Sequence, residues 1–94
     1  MSNKNIIKIR KELDKLDDKF LEILKKRSRL VDEVIKNKKF KKDIVDKKRI
    51  LIILKNISKK SKKKGIDPII TAKIWKSMIR SFIDYEYRNF NKKK

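Results

Sequence analysis

The sequence predicts an all-α fold, a single domain over residues 1–94 built from three helices, and three observations carry that prediction. The chain has one Gly, one Pro and 7% aromatic residues, a poor supply for a strand-rich fold with many turns. Its apolar residues recur in steps of three and four, the period of an amphipathic helix. One clear boundary, "GIDP" at 65–68, breaks the pattern with the punctuation that separates two helices. With 94 residues, the core of one chain would be marginal, and association with a further chain is the obvious remedy.

Helix one is expected over about 3–39. Ile6, Ile9, Leu13, Leu16, Phe20, Ile23, Leu30 and Val34 alternate in steps of three and four, and the position missing from the series is Arg27. A helix of that length spans roughly 50 Å at ~1.5 Å per residue. That is too long for a compact monomer of this size, so the helix is expected to pack along a partner chain.

Helix two is expected over about 46–62, with Asp46 as N-cap after the basic connector "KKFKK" and with Ile50, Ile53, Leu54 and Ile57 turned inward. It fades into "SKKSKKK". Helix three is expected over about 67–90. Gly65 suits the C-cap of the preceding helix, Asp67 the new N-cap, and Pro68 the first helical turn. Ile74, Trp75, Met78, Ile79, Phe82 and Ile83 form its apolar stripe. Glu86 falls on the same stripe, eleven residues after Trp75.

The net charge of +19 raises on-rates for any anion without naming one. Of the 31 basic residues 25 are Lys, beside many Ile and Asn, a mix that an AT-rich genome produces by itself. "KKSKKK" reads as a solvated connector, because it lacks the interleaved aromatics on which bases stack. The absence of Cys excludes disulfides and thiol chemistry, and the absence of His removes the commonest zinc ligand and general base. Asp17 and Asp18 are adjacent and point about 100° apart, a poor metal pair. No phosphate-binding glycine loop or nucleophile elbow is present. The longest apolar run, "ILIIL" at 50–54, is far short of the ~20 residues of a spanning helix. The first residues carry charges throughout, so no signal peptide is expected, and a soluble cytoplasmic protein is.

Two cations stand where cations are expensive. On a helix of about 100° per residue, Arg27 and Lys38, eleven residues apart, point within about 20° of each other and lie about 16 Å apart along the axis. Arg10 faces about 100° away, so it is not expected to join that cluster within one chain, and a partner chain's cluster in an antiparallel or entwined dimer is open to it. Unpaired cations in an apolar seam are strongly unfavourable. Two readings fit: a structural ion pair of Arg27 or Lys38 with Glu86, or a pocket whose missing counter-charge is an anionic ligand.

The chain as a whole resembles the all-α class of chorismate mutase, the type II family. Helix one matches in "IRKELDKLDDKFLEILKKRSRLVDEVIKNK", with Arg10, Arg27 and Lys38 at the family's spacings. "IVDKKR" places Asp46 and Arg49 on its Asp-x-x-Arg, and "GIDPIITAKIWKSMIRSFIDYE" follows its third helix, ending at Glu86 where Gln or Glu is usual. The resemblance implies an entwined homodimer with two equivalent sites. Each would take Arg27, Lys38, Asp46, Arg49 and Glu86 from one chain and Arg10 from the other.

The reaction so implied is the Claisen rearrangement of chorismate to prephenate, on the shikimate route to phenylalanine and tyrosine. It is unimolecular, so no metal, nucleophile or cofactor is expected. By this analogy Arg10 and Arg27 grip the two substrate carboxylates with Arg49 assisting, while Lys38 and Glu86 address the ether oxygen. Arginine suits carboxylates because its planar fork binds them bidentately. Two departures stand out. Ile50 occupies a position where many members have a Glu that contacts the substrate hydroxyl, and Glu86 replaces the commoner Gln. A carboxyl donates to an ether oxygen only when protonated, so activity is expected to rise as pH falls. An isochorismate-pyruvate lyase of the same fold is the nearest rival. A non-enzymatic basic protein binding nucleic acid is the other, and it gives no reason for Arg27 to interrupt the seam.

Overall fold

The structure is a computed structural model and describes residues 3–90. The fold is all-α. Among the described residues, α1 spans Lys4–Asn37, α2 Lys47–Lys63 and α3 Pro68–Phe90, with a short 3-10 turn at Lys41–Asp43 and no strand. By its internal contacts the chain divides after Leu30 into two compact units.

Each helix start is marked by a side chain that satisfies an otherwise orphaned backbone N–H. Asn3 Oδ1 accepts from the Ile6 N–H at 2.8 Å, and Asp46 Oδ1 from the Arg49 N–H at 3.0 Å. Asp67 Oδ1 accepts from the Ile69 N–H at 2.9 Å, and Pro68 follows in the first turn, where its missing N–H is harmless. The α2 end closes as a Schellman motif: the Ile66 N–H bonds to the Ser61 carbonyl at 2.9 Å and the Gly65 N–H to that of Lys62 at 3.2 Å. This turn needs a left-handed residue, and Gly65 supplies it at φ +70°.

The N-terminal unit contains α1 as far as Leu30. Its apolar stripe lies open: Ile9 is 58% exposed, Leu13 52%, Leu16 57%, Phe20 46% and Ile23 58%.

The C-terminal unit holds the buried core. Ile35 and Ile44 are each 3% exposed and Phe90 9%, with Val31, Ile83 and Tyr85 packed against them. Helices α2 and α3 pack on one another as a hairpin, the arrangement that a short connection favours. Ile50 and Leu54 of α2 share a groove with Ile79 and Ile83 of α3, rimmed by Lys76, Arg80 and Asp84. Near the turn, Ser61 Oγ and Thr71 Oγ1 meet at 2.7 Å while both are buried, and Ser61 also donates to the Ile57 carbonyl at 2.6 Å. A polar pair is tolerable there because its hydrogen-bonding capacity is met within the hairpin.

One sequence expectation needs correcting. Helix α1 ends at Asn37 rather than at about 39, so Lys38 is the first residue past the helix. Its N–H makes a tightened bond to the Ile35 carbonyl at 3.2 Å. Beyond it, Phe40 is extended at φ −126°, ψ 144°, and leads into the 3-10 turn. A long-helix reading misses this exit because "KNKKF" contains neither Gly nor Pro to announce it.

Candidate active site

Two of the candidate residues meet in an ion pair between segments far apart in sequence. Lys38 Nζ donates to Glu86 Oε1 at 3.1 Å and to the Ile44 carbonyl, also at 3.1 Å. The two side chains are 20% and 10% exposed, so water screens the pair far less than it would on the surface. The Lys38 side chain starts from non-helical backbone and reaches across to the last turns of α3, while the 3-10 turn brings the Ile44 carbonyl around to the same ammonium.

Glu86 is 7% exposed as a whole residue, a carboxylate within an apolar stripe. Beside it on α3, Tyr85 reaches a second acid of the C-terminal unit. Its hydroxyl donates to Asp32 Oδ1 at 2.6 Å, at the short end for an O–H···O bond. Phe82 meets the Tyr85 ring edge-on, centroids 6.4 Å apart at 82°, and the Arg88 guanidinium stands 5.9 Å from the ring centre. The hydrogen bond to Asp32 raises the Tyr85 phenol above its ordinary value of 10.0, helped by desolvation and by the Asp32 charge, while Arg88 opposes the rise.

Asp46 and Arg49 sit at the start of α2, both exposed. The structure gives Asp46 a backbone task, since its carboxylate caps the Arg49 N–H and so fixes where the Arg49 side chain leaves the helix. Ile50 follows, half-buried, with its side chain in the α2–α3 groove. Arg10 and Arg27 belong to the N-terminal unit; Arg10 is exposed and Arg27 half-buried on α1, followed by Ser28, whose hydroxyl donates to the Leu24 carbonyl at 3.0 Å.

Of the residues singled out from sequence, the structure brings Lys38 and Glu86 together, and it sets Asp46 and Arg49 side by side at one helix start. Tyr85 and Asp32 were not foreseen. Their partnership spans 53 positions, and neither breaks the local pattern in a way that flags it. Among the described residues no group of three or more Asp or Glu side chains is gathered as a metal site would need, and no helix is long and apolar enough to cross a membrane.

A family model for chorismate mutase type II matches residues 9–87. No curated protein and no solved structure matches the chain.

Proposed function

The chain belongs to the chorismate mutase type II family, and we propose that it catalyses the rearrangement of chorismate to prephenate as a homodimer whose sites each combine residues of both chains. The observation that carries the site assignment is the Lys38–Glu86 pair at 3.1 Å, nearly buried and composed of the two side chains that should face the breaking ether bond.

The chemistry asks little of a protein beyond shape and charge. Chorismate must be held in its compact conformer, which converts binding energy into lost rotational freedom before the barrier is reached. Arg27 from one chain and Arg10 from the other are suited to clamp the two carboxylates, with Arg49 assisting from the start of α2. As the carbon–oxygen bond breaks, negative charge grows on the ether oxygen, and the Lys38 ammonium stabilises it from a site already excluded from bulk water. Ionised, Glu86 orients that ammonium. Protonated, it donates to the same oxygen itself.

The homodimer rests on the open stripe of α1. Ile9, Leu13, Leu16, Phe20 and Ile23 are each about half exposed, and a contiguous apolar face of this kind needs a partner. A second copy of the same helix is the occupant whose apolar spacing matches, and Arg10 is then carried into the neighbouring site. Cytoplasmic location is part of the same proposal, since the pathway's small-molecule substrate is met there.

The test is direct. Purified protein incubated with chorismate should remove the diene absorbance and yield prephenate. Absence of turnover would reject the assignment, and salicylate plus pyruvate from isochorismate would move it to the lyase of the same fold.

A further inference from the structure

We infer that Tyr85 is a positioning residue for this site: its hydroxyl, anchored on Asp32, sets the rotation of α3 that aims Glu86 at Lys38. The inference rests on the catalytic role proposed above for the Lys38–Glu86 pair.

Tyr85 and Glu86 are consecutive on α3, so their side chains diverge by about 100° around the helix axis. Each is held at its tip by a residue from one short stretch of chain. Asp32 lies in the last turns of α1 and takes the Tyr85 hydroxyl at 2.6 Å, and Lys38 lies just past the end of α1 and takes Glu86 at 3.1 Å. Packing on α2 and on the Ile35 core already limits the roll of α3 about its axis; the two divergent tethers fix it further at this end, so the Asp32 bond bears on where the Glu86 carboxylate points.

The ring alone does not explain the tyrosine. It packs against the Ile35 core and meets Phe82 edge-on, and a phenylalanine would do both. What the hydroxyl adds is the bond to Asp32. The neighbouring Arg88 guanidinium, 5.9 Å from the ring centre, is a further restraint on its orientation. Catalysis by charge placement is sensitive to small displacements, since a misplacement of about 1 Å can lower a rate by about 100-fold.

Tyr85→Phe removes only the hydroxyl. It should lower kcat about tenfold with KM changed by less than about twofold, and leave helicity and oligomeric state as in the parent. Asp32→Asn keeps an acceptor and should retain most of kcat, whereas Asp32→Leu should reproduce the Tyr85→Phe loss and add nothing to it in the double variant. Against residual turnover in Glu86→Ala, Tyr85→Phe should have no further effect, because the group it positions is gone. A kcat for Tyr85→Phe within about twofold of the parent, or an equal loss in the Glu86→Ala background, would overturn the inference. The 13C resonance of the Glu86 carboxyl in substrate-free protein gives a reading independent of activity. It should shift in Tyr85→Phe, and an unmoved resonance refutes the positioning role. If the parent turns over no chorismate, the functional assignment fails, and this resonance still decides about Tyr85.

Discussion

Lys38 Nζ stands 3.1 Å from Glu86 Oε1 across 48 positions of sequence, with little water reaching either group. If this ammonium serves the proposed rearrangement, Lys38→Ala should lower kcat by a factor of about 100 or more. Helicity should survive, because the side chain leaves from non-helical backbone and makes no part of the apolar core. Steady-state kinetics beside circular dichroism checks both halves; retained activity in a folded variant would displace Lys38 from the site.

Glu86→Ala should remove the carboxylate that orients the Lys38 ammonium and lower kcat by at least about tenfold. Glu86→Gln keeps a hydrogen-bonding group of the same shape and should retain more activity. Steady-state kinetics of the two variants checks this, and an unchanged kcat in Glu86→Ala removes the proposed role.

Arg10 and Arg27 make the shared site testable by mixing. Arg10→Ala and Arg27→Ala dimers should each be nearly inactive. If each site takes the two arginines from different chains, an equal mixture that has exchanged subunits regains about a quarter of parental activity, because each mixed dimer carries one intact site. No recovery after exchange would place both arginines in the same chain's site.

How far the sequence carried this reading depended on whether a feature was local. The α2–α3 turn was legible in "GIDP" because Gly65, Asp67 and Pro68 each act within a few residues of themselves. Glu86 was legible as a charge out of place on an apolar stripe, with Arg27 and Lys38 both open as its partner; that it is Lys38 came only from the structure. The point where α1 stops was legible only to within about two residues, since no Gly or Pro stands between Asn37 and the extended Phe40 to mark it. Tyr85 with Asp32, and Ser61 with Thr71, are side-chain pairs between different helices, and periodicity says nothing about which polar groups meet.

Alkaline stability follows from Tyr85. Its phenol titrates above the ordinary 10.0, chiefly because the neutral hydroxyl donates to Asp32. A group whose folded value is raised contributes stability that is fully present below its unfolded value and lost as pH rises through the folded one. The parent should therefore lose stability above about pH 10 more steeply than Tyr85→Phe, as denaturant midpoints across that range will show.

Gly65 gives a prediction free of the active site. A Cβ there meets nothing within 4 Å, so Gly65→Ala is penalised by its φ of +70° alone. The expected loss is about 1 kcal/mol, with kcat unchanged in the folded protein. Gly65→Asn should lose less, because Asn enters the left-handed region more readily.

Helix α3 also acts as a measured length. Its start is pinned by the Asp67 cap, and its far end must present Tyr85 and Glu86 to fixed partners. Adding or removing one residue between those points would shift the pair by about 1.5 Å and turn it by about 100°, carrying both side chains away at once. Base substitutions that exchange one lysine for another cation, or one isoleucine for valine, leave this measure intact. Insertions and deletions do not. The spacing from Asp67 to Glu86 is thus a constraint separate from the identity of the exposed residues between them, which these tethers do not touch.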